Sequence, residues 1–406
     1  MIPVDEALAA VLGQAAPLRP RAVPLSQALG LRLAEDVATD IDLPPFDRSM
    51  VDGYAVRTED LEGGSRRLRV IEEVIAGHVP TRALGAGEAA FIMTGAPLPG
   101  GADAVVMHEK TRREGEVVEI LEHEVVAGRN LLAQGREARR GEVVLPAGDL
   151  LTPVRLGLLA AVGRTQVSAI PRPRVAVVPT GDELVEPDQV PGPGQIRNSN
   201  ATMIEAMARS AGAEPRTRPA VGDQLESLAS ALDGALDADV LVITGGVSAG
   251  THDLVPVALE RLGVERVFHK VRVKPGKPVW FGIRPGSPEL GPAKLVFGLP
   301  GNPISGLVGF LLFVRPALDV LAGAPGPVDR AFKARLTCRF AQRGDRPTYH
   351  PAVLSPVDGR RPGVAPLDWT GSSDLRAVAR ADGFVLFPAG EHTYRAGEIV
   401  RFLPLG

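Results

Sequence analysis

Three short stretches collect residue types suited to holding anions: Thr244-Gly245-Gly246-Val247-Ser248, Lys274-Pro275-Gly276-Lys277-Pro278 and Gly298-Leu299-Pro300-Gly301-Asn302-Pro303. The first follows an apolar run at 240–243, and the third follows Leu295-Val296-Phe297 and opens a long apolar helix. In an open α/β sheet such turns sit at the carboxyl ends of strands, where ligands bind. Glycine lets backbone approach a ligand closely, and a helix start presents unpaired N–H groups to an anion. Between Lys274 and Lys277, proline and glycine suit the central positions of a type II turn, which brings two cations to its corners. Alone, the pair reads as two solvated lysines. Beside two glycine-rich turns it predicts a site for a phosphate-bearing substrate.

The carboxylates have local explanations one at a time. Asp52 belongs to an Asp-Gly pair, a hairpin-turn signal. Glu183 lies in Thr180-Gly181-Asp182-Glu183-Leu184, directly after the first expected α/β strand. Asp223 stands three residues before Glu226, the spacing of a helix cap, and Asp253 directly precedes a helical run. Together, beside an anionic ligand, they need a cation between them. Mg²⁺ takes a few carboxylates plus substrate phosphate oxygens, so a Mg²⁺-dependent phosphate-anhydride site is expected. The histidines form no metal-ligand spacing.

Composition narrows the classes. A chain of 406 residues exceeds one ordinary core, so several domains are expected. Basic and acidic residues number 45 and 48, and no basic run carries interleaved aromatics, which argues against a nucleic-acid partner. Cys338 is the only cysteine, which excludes an internal disulfide and a thiolate metal cluster. The first residues lack the basic and apolar regions of a signal peptide, so a cytoplasmic location is expected. The most apolar run, 304–314, falls short of the roughly 20 residues that span a bilayer and is expected as a buried helix, with no membrane role.

The elements that must position these residues follow from periodicity. Val4, Ala7, Leu8 and Val11 recur at helical spacing. From 21 to 169 the texture is mostly β, with runs at 68–74, 104–108, 117–121 and 143–145 and one helical pattern at 153–162. After a proline linker at 171–173, strands expected at 175–178, 239–243 and 295–297 alternate with helices at 200–211, 223–236 and 254–262. Met203, Ile204 and Met207 are expected to face inward. The last helix runs from Pro303 to about 321, with Asn302 as N-cap. The alternation predicts a parallel sheet covered on both faces. Beyond a second linker at 323–327, runs at 331–340, 384–387 and 398–402 form a small β unit.

Six motifs in one order resemble the molybdopterin molybdenumtransferase family, whose enzymes insert molybdate into adenylylated molybdopterin. They are Pro45-Phe46-Asp47-Arg48-Ser49 with Val51-Asp52-Gly53-Tyr54-Ala55, Met93-Thr94-Gly95-Ala96-Pro97, Thr180 to Leu184, Gly245-Gly246-Val247-Ser248, the Lys-Pro-Gly-Lys-Pro turn, and Gly298 to Pro303. The resemblance spans essentially the whole chain. It implies a multidomain α/β plus β protein: an elongated N-terminal domain (1–45 and 137–172), a β-rich inserted domain (46–136), a doubly wound α/β molybdopterin-binding domain (173–322) and a C-terminal β-barrel (323–406).

The resemblance also implies a homodimer with a shared active site, to which Asp52 and Thr94 reach from the partner to meet Glu183, Asp223 and Asp253. Mg²⁺ would lie at Asp52, Glu183 and Asp253. Molybdate and adenylylated molybdopterin are the implied substrates. Gly245, Gly246, Ser248, Lys274, Lys277, Pro300, Asn302, Pro303, Ser305, Arg346 and Ser372 would face their anionic groups. A molybdopterin adenylyltransferase and molybdoenzyme acceptors are the implied further partners.

The chain departs from the family at three places. Met50 and Val51 stand where alanine and methionine are usual, Asp345 separates Gly344 from Arg346, and the residues before Asp253 differ, with His252 unassigned. Two other readings compete. An adenylyltransferase on the same α/β module has no use for the large β-rich flanks. A non-catalytic molybdopterin carrier or scaffold has little need of the carboxylates.

Overall fold

In the computed structural model, which describes residues 1–62, 66–247, 254–286, 292–326, 328–356 and 361–406, the apolar strands after 173 assemble into one six-stranded sheet. Its order is Glu214–Thr217, Arg174–Pro179, Val240–Thr244, Lys294–Leu299, Trp280–Arg284 and Glu265–His269. The first four strands are mutually parallel. All five residues of Val240–Thr244 and all six of Lys294–Leu299 are buried, as strands covered on both faces require. Alternate residues feed opposite cores: Val175, Val177, Val240 and Val242 enter one, and Ala176, Val178, Leu241 and Ile243 the other.

The sheet is mixed, not wholly parallel. Trp280–Arg284 runs antiparallel to both neighbours. The ten residues between His269 and Trp280 hold the lysine turn and no helix, which is too little chain for a parallel crossover.

Helices Ser199–Ser210, Leu225–Ala235 and Val255–Arg261 cover the faces. In the first, Ala201, Ile204 and Ala208 are buried, while Met203 and Met207 are only partly so. Its start is fixed by the Asn198 carboxamide oxygen, which accepts from the Ala201 N–H at 3.2 Å. The final helical stretch, Pro303–Leu321, runs 19 residues with one π-helical turn at Phe310–Val314. It is longer than the apolar run 304–314, and by length and composition alone it would cross a membrane. Most of its residues are buried, and it supplies Phe310, Phe313, Val314 and Leu318 to the core, so it is a core helix.

Residues Met1–Ala22, Gly30–Ala34 and Ser168–Gly406 form one compact unit, and Val23–Leu29 with Glu35–Val167 form a second. The larger unit also contains the helix Val4–Leu12, which buries Ala7 and Val11, and a closed five-stranded barrel. The barrel strands, in order around it, are Phe332–Leu336, Gly363–Pro366, Thr348–Ser355, Gly383–Phe387 and Ile399–Pro404. Sequence periodicity does not reveal Thr348–Ser355, which Pro351 interrupts, or Gly363–Pro366, which is only four residues long.

The smaller unit holds a six-stranded sheet ordered Ala104–Met107, Gly53–Val56, Glu88–Ile92, Arg67–Val74, Val117–Ile120 and Thr111–Glu114. Tyr54 and Val56 face one core, and Ala55, Ala90 and Ile92 the other. The expected helix forms at Pro153–Ala161, with the Thr152 hydroxyl accepting from the Arg155 N–H.

Candidate active-site cleft

The three parallel strands Arg174–Pro179, Val240–Thr244 and Lys294–Leu299 end together, and their turns leave the sheet side by side. The ladder runs one step past the strands: the Thr180 N–H donates to the Thr244 carbonyl at 2.9 Å and the Gly245 N–H to that of Leu299 at 3.0 Å. Above them opens a cleft of about 760 Å³. Its wall includes Thr180, Gly181, Glu183, Asp223, Gly245, Gly246, Pro300, Asn302 and Pro303. This is the crevice outside the carboxyl ends of the strands, where an α/β sheet binds its ligand.

Glycine is required at the central turn. Gly245 and Gly246 have φ of 96° and 60°. A Cβ on Gly245 would overlap the Thr180 carbonyl, and one on Gly246 would lie 2.6 Å from Val255 Cγ2. Asn302 holds the N-cap position with extended backbone, but its side chain makes no capping bond, unlike the expected cap. Pro303 follows at the first helical position as expected, and the next N–H, that of Ile304, donates to the Ser372 carbonyl at 3.1 Å. The Gly301 carbonyl accepts from Asn200 Nδ2 at 2.7 Å.

Two acidic residues share this cleft. Glu183 is exposed, and its carbonyl accepts from the Ile196 N–H at 2.8 Å, which ties its loop to the strand pair Leu184–Val185 and Ile196–Arg197. Asp223 lies before its helix rather than at the cap, because the helix spans Leu225–Ala235 with Gln224 as N-cap and no side-chain cap. Its N–H donates instead to Asp182 Oδ1 at 3.0 Å. Asp182 therefore fixes the Asp223 loop; it caps no helix. A Cβ on Gly222 would sit 2.5 Å from Asp182 Oδ1, so any larger residue there would push this carboxylate aside.

The lysine turn takes a different form from the expected type II turn. The Lys274–Pro275 peptide is cis, and Gly276 has φ of 108°. Lys274 spends its backbone on the barrel: its N–H donates to the Pro347 carbonyl at 2.9 Å and its carbonyl accepts from the Tyr349 N–H at 2.8 Å. Both lysine side chains are exposed. The turn packs on the start of the last helix, where a Cβ on Gly276 would come within 3.3 Å of the buried Ser305 carbonyl. Arg346 donates through Nη1 to the Val273 carbonyl at 3.0 Å, next to Lys274. Lys274, Lys277, Ser305, Arg346 and Ser372 thus gather around this turn and helix start, while Pro278 and Ser373 extend the grouping to the cleft wall.

In the smaller unit the structure joins the two residues expected there. The Asp52 Oδ1 accepts from both the Thr94 N–H at 2.7 Å and the Thr94 hydroxyl at 2.8 Å. The backbone bond, then the hydroxyl, holds the Asp52 carboxyl below its ordinary pKa. Asp-Gly is not a hairpin turn here. Gly53 begins the strand Gly53–Val56 and is buried, and a Cβ there would overlap the Val106 carbonyl.

Ser248 and Asp253 lie outside the described residues. Among the described residues, no three His, Cys, Asp or Glu side chains cluster as a metal cage. Sequence reasoning missed Asn198, Ser199 and Asn200 as cleft residues; their signal was a polar trio at the start of a helix.

The chain is 35% identical over 410 residues to the molybdopterin molybdenumtransferase of Bacillus subtilis (strain 168), covering 99% of this chain and 94% of that one. The chain belongs to the molybdopterin molybdenumtransferase family. The family relative from Staphylococcus aureus (strain Mu50) is 34% identical over 404 residues, 98% of this chain and 94% of that one. Three family models follow one another: the MoeA N-terminal region (domain I and II) at 2–163, a probable molybdopterin binding domain at 176–320, and the MoeA C-terminal region (domain IV) at 333–405. The solved molybdopterin biosynthesis MoeA protein from Pyrococcus horikosii matches with a TM-score of 0.83 at 34% identity, covering 100% of this chain and 99% of that one. In this molybdopterin molybdenumtransferase family member, every cleft-lining residue except Ser373 falls inside the segment that matches the molybdopterin-binding model.

Proposed function

We propose that the cleft receives adenylylated molybdopterin and that the chain inserts molybdate into it with Mg²⁺, releasing AMP. The observation that carries this reading is the meeting of two glycine turns with Glu183 and Asp223 in one cleft, with the lysine turn at its margin. A polyanion fits the turns and lysines, yet two carboxylates beside it raise the charge unless a cation intervenes.

The donor set suits Mg²⁺. Carboxylate oxygens are hard ligands, and Mg²⁺ binds through one or two of them plus substrate phosphates rather than in an all-protein cage. Glu183 and Asp223 are the two acidic residues of the described cleft wall, and among the described residues no three such side chains form a cage, which matches that pattern. When bound, the ion neutralises charge on the phosphate oxygens. Around it, the Gly245-Gly246 turn admits the substrate backbone-close, and Asp182 keeps the Asp223 loop in place. Lys274 and Lys277 draw molybdate, with Ser305 and Ser372 lining its approach; Arg346 steadies the turn through the Val273 carbonyl. As the two dithiolene sulfurs bond to molybdenum, the displaced molybdate oxygens leave as water with the thiol protons, and water cleaves the anhydride to free AMP. The sulfur ligands come from the substrate, in keeping with a chain that has one exposed cysteine.

The reading extends to a homodimer. Asp52 is exposed, ionised and oriented by Thr94, and on this reading it completes the site of the partner subunit together with Thr94. The workplace is the cytoplasm, between a molybdopterin adenylyltransferase that supplies the substrate and molybdoenzymes that accept the product.

AMP release by the purified protein from adenylylated molybdopterin, with Mg²⁺ and with or without molybdate, tests the reading. Molybdate-dependent release with a metallated pterin product is expected. Tight binding with no release leaves a carrier, and consumption of ATP marks an adenylyltransferase.

A further inference from the structure

The glycine turn is held at a point far from the strand that launches it. Val240–Thr244 is a central strand, and Glu265–His269 is the edge strand three places away. At about 4.8 Å between neighbours, that is a span of about 14 Å. One register row crosses it: Ile243 pairs with Gly298, Gly298 with Trp280, and Trp280 with His269. The chain leaving Thr244 runs along this row. Val247 is buried over Gly298, where a Cβ would stand 2.5 Å from Val247 Cγ1, so the strand carries glycine at that point for close passage of the turn. At the end of the row, His269 Nε2 lies 3.1 Å from the Val247 carbonyl. Nε2 carries a proton in this contact, as the neutral Nε2–H tautomer or as imidazolium, because a carbonyl only accepts.

We propose that His269 is a positioning residue for the substrate cleft, fixing the Gly245–Gly246 turn by donating a hydrogen bond to the Val247 carbonyl from the edge strand. Gly245 and Gly246 line the cleft; Val247 does also, and its carbonyl is the anchor. Both glycines have positive φ, a conformation they leave at little steric cost, so the turn depends on its ends for a fixed shape. One end is the Gly245 N–H on the Leu299 carbonyl, and the other is His269. His269 itself does not line the cleft, so it acts through the turn and not on the reacting atoms.

The functional half of this inference rests on the cleft being the adenylylated-molybdopterin site, so the test has two arms. In the ligand-free protein, His269→Phe fills the volume without a donor, and His269→Gln places an amide N–H near the Nε2 position. Amide hydrogen exchange of Gly245–Val247 is expected to quicken about tenfold in His269→Phe and to return towards wild type in His269→Gln. In steady state, KM for adenylylated molybdopterin is expected to rise about fivefold to tenfold in His269→Phe with kcat near wild type, and the glutamine variant is expected to recover. Unchanged exchange in His269→Phe overturns the inference whatever the kinetics show. Quickened exchange with unchanged KM overturns its functional half. Quickened exchange in a protein whose wild type fails to bind the substrate upholds the tether and rejects the cleft as the substrate site.

Discussion

In the larger unit the cleft is framed by glycine-bearing turns on three strands that end together, with polar side chains around them; in the smaller unit one exposed carboxylate is steered by one threonine. The first is rigid because each turn is bonded to its neighbour, as Gly245 is to Leu299 and Thr180 is to Thr244. The second is local: both bonds to Asp52 come from Thr94, across a separation of 42 residues. A backbone site tolerates no added atoms. A side-chain site tolerates changes around it but depends on one charge state.

The largest effect should come from breaking the backbone site. Gly245→Ala forces a Cβ into the Thr180 carbonyl at positive φ, at a cost of about 1–3 kcal/mol for the strained backbone alone. We expect kcat/KM for AMP release to fall on the order of 100-fold, with a lower Tm, measured by product assay and calorimetry. A variant with wild-type kinetics would mean that the turn does not touch substrate.

Next comes charge. Glu183→Gln preserves shape and should cut turnover on the order of 100-fold, since a preorganised group opposite developing charge carries effects of that size. Mixing Glu183→Gln with Asp52→Asn protein should restore about a quarter of the active sites if each site draws on both chains and subunits exchange freely. Activity of the mixture no higher than that of either parent, once mixed dimers have been verified, would assign both residues to a single chain.

A smaller effect separates support from contact. Asp182→Ala leaves the Asp223 N–H without its acceptor, which costs about 1 kcal/mol and should raise KM about fivefold while kcat holds. Equal losses in kcat and kcat/KM would instead place Asp182 on the reacting groups.

The gentlest test sharpens the second site. Thr94→Val removes the hydroxyl but keeps the backbone donor, so the Asp52 pKa should rise part of the way to its ordinary value of 3.8, as read by carboxyl NMR titration. The sign is that of a depressed carboxylate: its contribution is complete above the ordinary pKa and disappears as pH falls through the lower, folded value. Activity near neutral pH should therefore hold in Thr94→Val, and the acid limb of any Asp52-linked profile should move to higher pH. A shift as large as that caused by losing both bonds would show that the hydroxyl, not the backbone, dominates.

Legibility in the sequence followed the range of the interactions. Strands at 175–178, 239–243 and 295–297 were readable because burial on both faces writes continuous apolar runs, and the site turns were readable because they directly follow those runs. The N-cap at Asn302 and the Asp223–Glu226 cap were local patterns that the structure does not use: Asn302 makes no capping bond, and the helix starts after Asp223, whose backbone N–H is held by Asp182, 41 residues away. The Asp-Gly pair read as a turn because nothing near it discloses that the Val106 carbonyl crosses at Gly53. The antiparallel strand Trp280–Arg284 follows from connection length, which periodicity does not record. Asp52 and Thr94 were paired through the family resemblance alone; spacing could not supply it.

The way Lys274 spends its backbone on Pro347 and Tyr349 bears on how such chains can be recombined. A terminal barrel has the look of a cassette that gene fusion could swap or trim. Here the cassette includes the bench on which a cationic turn rests, so exchange of the C-terminal segment would remove both backbone partners of Lys274 upstream. Lineages that reshuffle this region must inherit the turn and its bench together, or rebuild both.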